Sequence, residues 1–155
     1  METAEQSDEV VVFGKRIYAG YLAIQAVLGV VWWITLAVSP WVRGRFELMP
    51  SQHAVVDAFV LADLAVVVVG SAVGAWAIER ESDWAVPAVW FTTGGIVYPT
   101  LFLVAWVSLV GTGSGLLAAM VAVSTLTTWV AFQVTLATRR ARRGVSSGLR
   151  REAGH

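Results

Sequence analysis

The chain has 155 residues, 57% hydrophobic and 14% charged, with a mean hydropathy of +0.67, more apolar surface than a soluble domain of this size can hide from water. Its formal charge is zero and its basic cluster is a short tail, which excludes nucleic-acid binding as a main role. With no cysteine and two histidines it offers no disulfide framework, zinc-thiolate site or bis-histidine haem, and neither a metal nor another cofactor is expected.

The charges are unevenly placed. Residues 1–16 and 139–155 carry 13 of the 22, leaving 9 for the 122 residues between them. The fold expected is all-α: an integral membrane four-helix bundle with a flexible leader at 1–16, a transmembrane domain at 17–138 and a basic, disordered tail at 139–155. A span needs roughly 20 apolar residues to cross about 30 Å of hydrocarbon, and four stretches qualify, at about 17–38, 54–78, 84–110 and 116–138.

The leader is acidic before Lys15-Arg16. A basic pair followed by an apolar run is also how a signal peptide begins, but the acidic start and the length of the run favour a span. The first span closes at Ser39-Pro40, where proline ends a helix. Gln25 lies near its centre on a stripe with Tyr18, Tyr21, Gly29 and Trp32. The outer loop from Trp41 to Pro50 is amphipathic enough to lie over the bundle mouth.

The second span is the least apolar, holding Asp57 and Asp63. Asp57 stands in the first helical turn, four residues after His53, which reads as capping and surface pairing rather than half of a metal site. Asp63 is about the tenth residue from the expected start of the helix. That count puts a carboxylate near the bilayer midplane, where a charge costs at least about 2.5–3.5 kcal/mol. Asp63, Val67, Gly70 and Gly74 follow the spacing of one helical stripe, and Gly70 and Gly74 form a small-xxx-small contact suited to helix packing.

Residues 79–83 form a charged loop, and Trp84 to Thr138 is an uncharged stretch of 55 residues. It divides at Gly111-Thr112-Gly113-Ser114-Gly115, whose glycines suit a tight turn. In the third span Thr92, Thr93, Tyr98 and Thr100 lie around the middle, with Gly94-Gly95 and Pro99 expected to bend the helix. The fourth adds Ser124, Thr125 and Thr128, with Gln133 deeper. A ligand or proton site is therefore expected from Asp63, Gln25, Tyr98, Thr92 and Thr125, the alternative being that these groups only glue helices together. Trp41, Trp76, Trp84 and Trp106 fall near span ends, as interface anchors do.

Nine lysines and arginines fall on the side shared by the termini and the 79–83 loop, against Arg43 and Arg45 on the other. The positive-inside bias predicts cytoplasmic termini in a multi-pass protein of the cell membrane. The Arg139–Arg143 tail reads as a topology signal touching anionic lipid headgroups.

Around the acid, Phe59-Val60-Leu61-Ala62-Asp63-Leu64, with Trp84 and Pro87-Ala88 downstream, locally resembles the second-helix motif and third-helix entry of the four-helix EXPERA family, which includes sterol isomerases and ligand-binding receptors. The likeness covers fewer than ten positions and the intramembrane histidine of the isomerases is absent, so no family residue is carried over. The function expected is an acidic, polar pocket within the membrane that binds a lipophilic or cationic small molecule or relays a proton. The alternatives are a non-catalytic accessory subunit, as a homo-oligomer or with a membrane protein partner, and an intramembrane enzyme using Asp63 as acid-base; no nucleophile, metal or phosphate-loop motif supports the last.

Overall fold

The computed structural model describes residues 2–46, 60–111 and 113–152, with side chains described at 14–44, 60–111 and 113–143. His53 and Asp57 lie outside the described residues. The described chain forms helices and no strand: α1 (Glu2–Val38), α2 (Pro40–Phe46), α3 (Val60–Glu79), α4 (Ala85–Val110) and α5 (Ser114–Glu152). Four of them are long and apolar enough to cross a membrane, over Gly14–Val38, Val60–Glu79, Ala85–Val110 and Ser114–Arg143. This is the four-helix, all-α membrane fold expected from hydropathy. The helical backbone also continues through the segments read as leader and tail.

Local chemistry sets the helix ends. Pro40 stands at the first position of α2, where its missing N–H costs nothing, and Ser39 precedes it with Oγ accepting from the Val42 N–H at 3.3 Å. At the end of α3 the Ser82 N–H reaches back to the Ala77 carbonyl at 2.9 Å and the Glu81 N–H to that of Ile78 at 3.2 Å. This is the Schellman pattern, with Glu81 at φ 52° in the left-handed position usually given to glycine. Gly111 ends α4 at φ 77°, and its N–H bonds the Val107 carbonyl at 2.9 Å.

Antiparallel neighbours pack in the order α1–α3–α4–α5. Lys15 pairs with Glu81 at 2.9 Å and Arg142 with Asp83 at 2.6 Å, so α1, the α3–α4 turn and α5 meet at one end of the bundle, here called proximal. The α1–α2 and α4–α5 junctions mark the distal end. The core cluster is proximal: Ala19 and Leu22 of α1, Ala75, Ala77 and Ile78 of α3, Ala85 and Val89 of α4, and Val130, Ala131 and Val134 of α5. Its alanines, with Gly74, let the backbones approach. A Cβ on Gly74 would stand 3.2 Å from a Leu22 methyl and 3.4 Å from one of Val89, and a Cβ on Gly70 would meet the Thr92 hydroxyl at 2.5 Å.

α3 departs from the expected regular helix. Leu64–Val69 winds as a π-helical segment between Asp63 and Gly70, so the stripe predicted to join Asp63 and Val67 to Gly70 and Gly74 does not run straight. The wider turns are seated in glycine notches on both sides. Val68 faces Gly29 of α1, where a Cβ would come within 2.8 Å, and Val66 occupies the space a Cβ on Gly95 of α4 would need. Asp63 and Ser71, on either side of the segment, both reach α1, at Trp33 and Gln25 respectively.

Candidate functional site

The distal half of the bundle holds a cleft of about 710 Å³, within the size range of small-molecule sites. α1 contributes a wall from Tyr21 to Leu36, α5 the facing wall from Leu116 to Leu126, and α3 and α4 the back, with Asp63, Val67, Val68, Ile96, Pro99 and Phe102. The cleft forms because α5 meets α1 through Tyr21 and Gln25, bonded to Thr127, and through Tyr18, edge-on to Trp129 at 5.9 Å. Bulky Trp32, Trp33, Leu36 and Trp106 line it farther out.

Asp63 lines this cleft with its carboxyl facing the Trp33 indole. It is the only carboxyl among the described lining residues, and no lysine, arginine or histidine accompanies it. Its depth follows from helix register. α1 and α3 pair Lys15 with Glu81 at one end and Trp33 with Asp63 at the other; the 18-residue separation is about 27 Å at 1.5 Å per residue. Measured along the helices from the charged end, Asp63 lies in the distal part of the bundle.

The mid-depth polar group is Gln25, buried between three helices. Its Nε2 donates to Ser71 Oγ at 3.0 Å and its Oε1 accepts from Thr127 Oγ1 at 3.0 Å. Tyr21 and Thr127 share a hydroxyl contact of 2.7 Å. Thr127 has a single hydroxyl proton, shared between Gln25 Oε1 at 3.0 Å and the Val123 carbonyl at 2.8 Å, so Tyr21 is the donor in the hydroxyl contact and the chain runs from Tyr21 through Thr127 to Gln25 and on to Ser71. This chain closes the proximal end of the cleft.

The other expected site residues are elsewhere. Thr92 is fully buried, but its hydroxyl donates to the Ala88 carbonyl at 3.0 Å and packs at Gly70, outside the lining. Tyr98 is 73% exposed on the outer surface of α4. Thr125 is exposed and donates to the Val121 carbonyl at 2.8 Å. Thus the structure brings Asp63 and Gln25 to one cleft, about 12 Å apart along α1, and leaves the other three out. Gly70 and Gly74 lie in helix contacts, against α4 and against α1 and α4 respectively.

Sequence reasoning missed Ser71, Thr127 and Trp106 as site residues. Thr127 falls on the buried stripe of Val130, Ala131 and Val134, a phase that distinguishes it from Thr125. Trp106, expected as an interface anchor, instead lines the cleft, stacks on Phe102 at 6.3 Å and buries its indole Nε1 without a hydrogen-bond partner. Trp41, Trp76 and Trp84 are exposed near helix ends, Trp76 lying beneath the Arg80 guanidinium at 5.7 Å. No family model, curated protein or solved structure matches the chain, so the local likeness around Asp63 carries no family assignment.

Proposed function

We propose that this protein binds a lipophilic small molecule bearing a positive charge, with Asp63 as the counter-charge. The observation that carries this reading is an apolar, indole-lined cleft holding one carboxyl and no basic partner among the described residues. In such surroundings a bound cation satisfies the acid, and Trp32, Trp33 and Trp106 offer aromatic faces suited to a weakly hydrated positive group. A neutral apolar guest does neither.

The other readings have less support. A proton relay through Asp63 needs a hydrogen-bonded continuation, yet Leu28, Gly29, Val67 and Val68 line the stretch toward Gln25. An accessory subunit docking through Gly70 and Gly74 is disfavoured because both glycines are already covered by the protein's own helices. An acid-base enzyme lacks a second ionisable group beside Asp63 among the described lining residues, apart from the Tyr21 phenol near the floor. The nine-to-two arginine and lysine bias supports cytoplasmic termini in the cell membrane, with Arg139–Arg143 touching anionic headgroups.

The test is equilibrium binding of tetraphenylphosphonium and of an alkyltrimethylammonium ion to protein in zwitterionic nanodiscs. Saturable binding of at least one, weakened tenfold or more by Asp63→Asn in a variant that still elutes and melts as folded, is expected. Equal uptake by wild type and Asp63→Asn would refute the reading.

A further inference from the structure

The cleft is long for its volume. A compact void of 710 Å³ would be only about 11 Å across, yet α1 lines this one from Tyr21 to Leu36, 15 residues or about 22 Å. It is a slot along the seam of α1 and α5. Asp63 stands at the level of Trp33, in the distal part, and Gln25 crosses the proximal end, tied to Ser71 and Thr127. Between these levels the described wall is apolar, formed by Leu28, Gly29, Val67 and Val68 among others.

Resting on the cation-binding reading, we infer that the ligand is a single-chain amphiphile whose cationic head pairs with Asp63 and whose chain runs down the slot until Gln25 stops it. The slot therefore measures chain length. The eight residues from Trp33 to Gln25 span about 12 Å. An extended carbon chain built from ~1.5 Å bonds advances roughly 1.3 Å per carbon, so about nine or ten carbons fit above the plug. Tyr21 lines the same floor beside Gln25 and becomes the stop once the plug is trimmed, about 6 Å or four to five carbons farther along α1.

The experiment titrates linear primary alkylamines of six to sixteen carbons against protein in nanodiscs, with Asp63→Asn protein as the baseline for partition into lipid. The Asp63-dependent affinity, referred to free aqueous amine, is expected to rise about fourfold per methylene and to level off near ten carbons. Gln25→Ala moves the break to about fourteen or fifteen carbons. Val67→Phe, on the apolar wall of the cleft, moves it shorter and provides the test by itself if Gln25→Ala fails to fold. Affinity climbing without a break to sixteen carbons, or a break that Val67→Phe leaves in place, overturns the inference. So does Asp63-dependent binding of tetraphenylphosphonium with no chain-length preference among the amines, although the cation site then stands. Loss of all Asp63-dependent binding overturns both.

Discussion

The two halves of this bundle solve opposite problems with the same four helices. Near the charged end, alanines and Gly74 draw the backbones together around Leu22 and Val89, both fully buried. In the distal half, tryptophans and a π-helical segment stand where small residues would have closed the gap, and a cleft remains. A lipid-facing bundle gains little from hydrophobic burial, because lipid tails are as apolar as leucine. Close packing therefore makes the proximal half rigid, and its absence makes the distal half receptive.

Truncating a leucine in each half is the strongest way to break this comparison. Leu22→Ala leaves a void in a filled core and should cost about 2–5 kcal/mol. Leu28→Ala, on the wall of an existing cleft, should cost less than about 1 kcal/mol. Thermal or denaturant unfolding in detergent measures both, and equal losses would erase the distinction between the halves. Next in size is Thr127→Val, which keeps the shape of the residue but leaves the Tyr21 hydroxyl and Gln25 Oε1 without their shared partner. A loss of about 1–3 kcal/mol is expected, and a melt unchanged from wild type would show that the plug is not a structural latch.

Ala122→Phe gives the distal half some of the packing of the proximal one. Filling the cleft wall should leave stability within about 0.5 kcal/mol of wild type while abolishing cation uptake; retained uptake would mean that ligand sits elsewhere. The smallest effect belongs to the proximal surface. The Lys15 ammonium, first by hydrogen bonding and then by its charge, holds the Glu81 carboxyl below its ordinary value of 4.5. Because the folded state favours the ionised form, this contribution is present above 4.5 and fades as pH falls through the lowered value. The small difference in melting temperature between wild type and Lys15→Ala should therefore be present at neutral pH and disappear on acidification well below 4.5.

Length and hydropathy made the four spans legible, and the chemistry of Ser39-Pro40 and Gly111–Gly115 marked two of their ends. Asp63 and Gln25 stood out because polar groups within apolar runs need a reason to be there. What the sequence hid was direction around each helix. The outer face of a membrane helix is as apolar as its inner face, so periodicity does not separate them as it does in water. Tyr98 is two residues from buried Thr100, and Thr125 two from buried Thr127. Two residues are about 200° of rotation, enough to turn a side chain from the interior to the outside at the same depth. The π-helical segment was hidden for another reason: Leu-Ala-Val-Val-Val-Val carries no glycine, proline or polar residue to announce a change of winding.

That segment also makes the aim of Asp63 a matter of counting. Each residue of an α-helix turns the chain by about 100°, and a π-helical turn accommodates one more residue than an α-helical turn. Were the same residues wound as a regular α-helix, Asp63 would swing about 100° relative to Gly70 and away from Trp33, whereas deleting one valine from the run Val66–Val69 would remove the surplus residue and leave the aim of the acid nearly unchanged. The carboxyl is steered into the cleft by a wider winding that takes up a single surplus residue, much as a vernier absorbs one extra division.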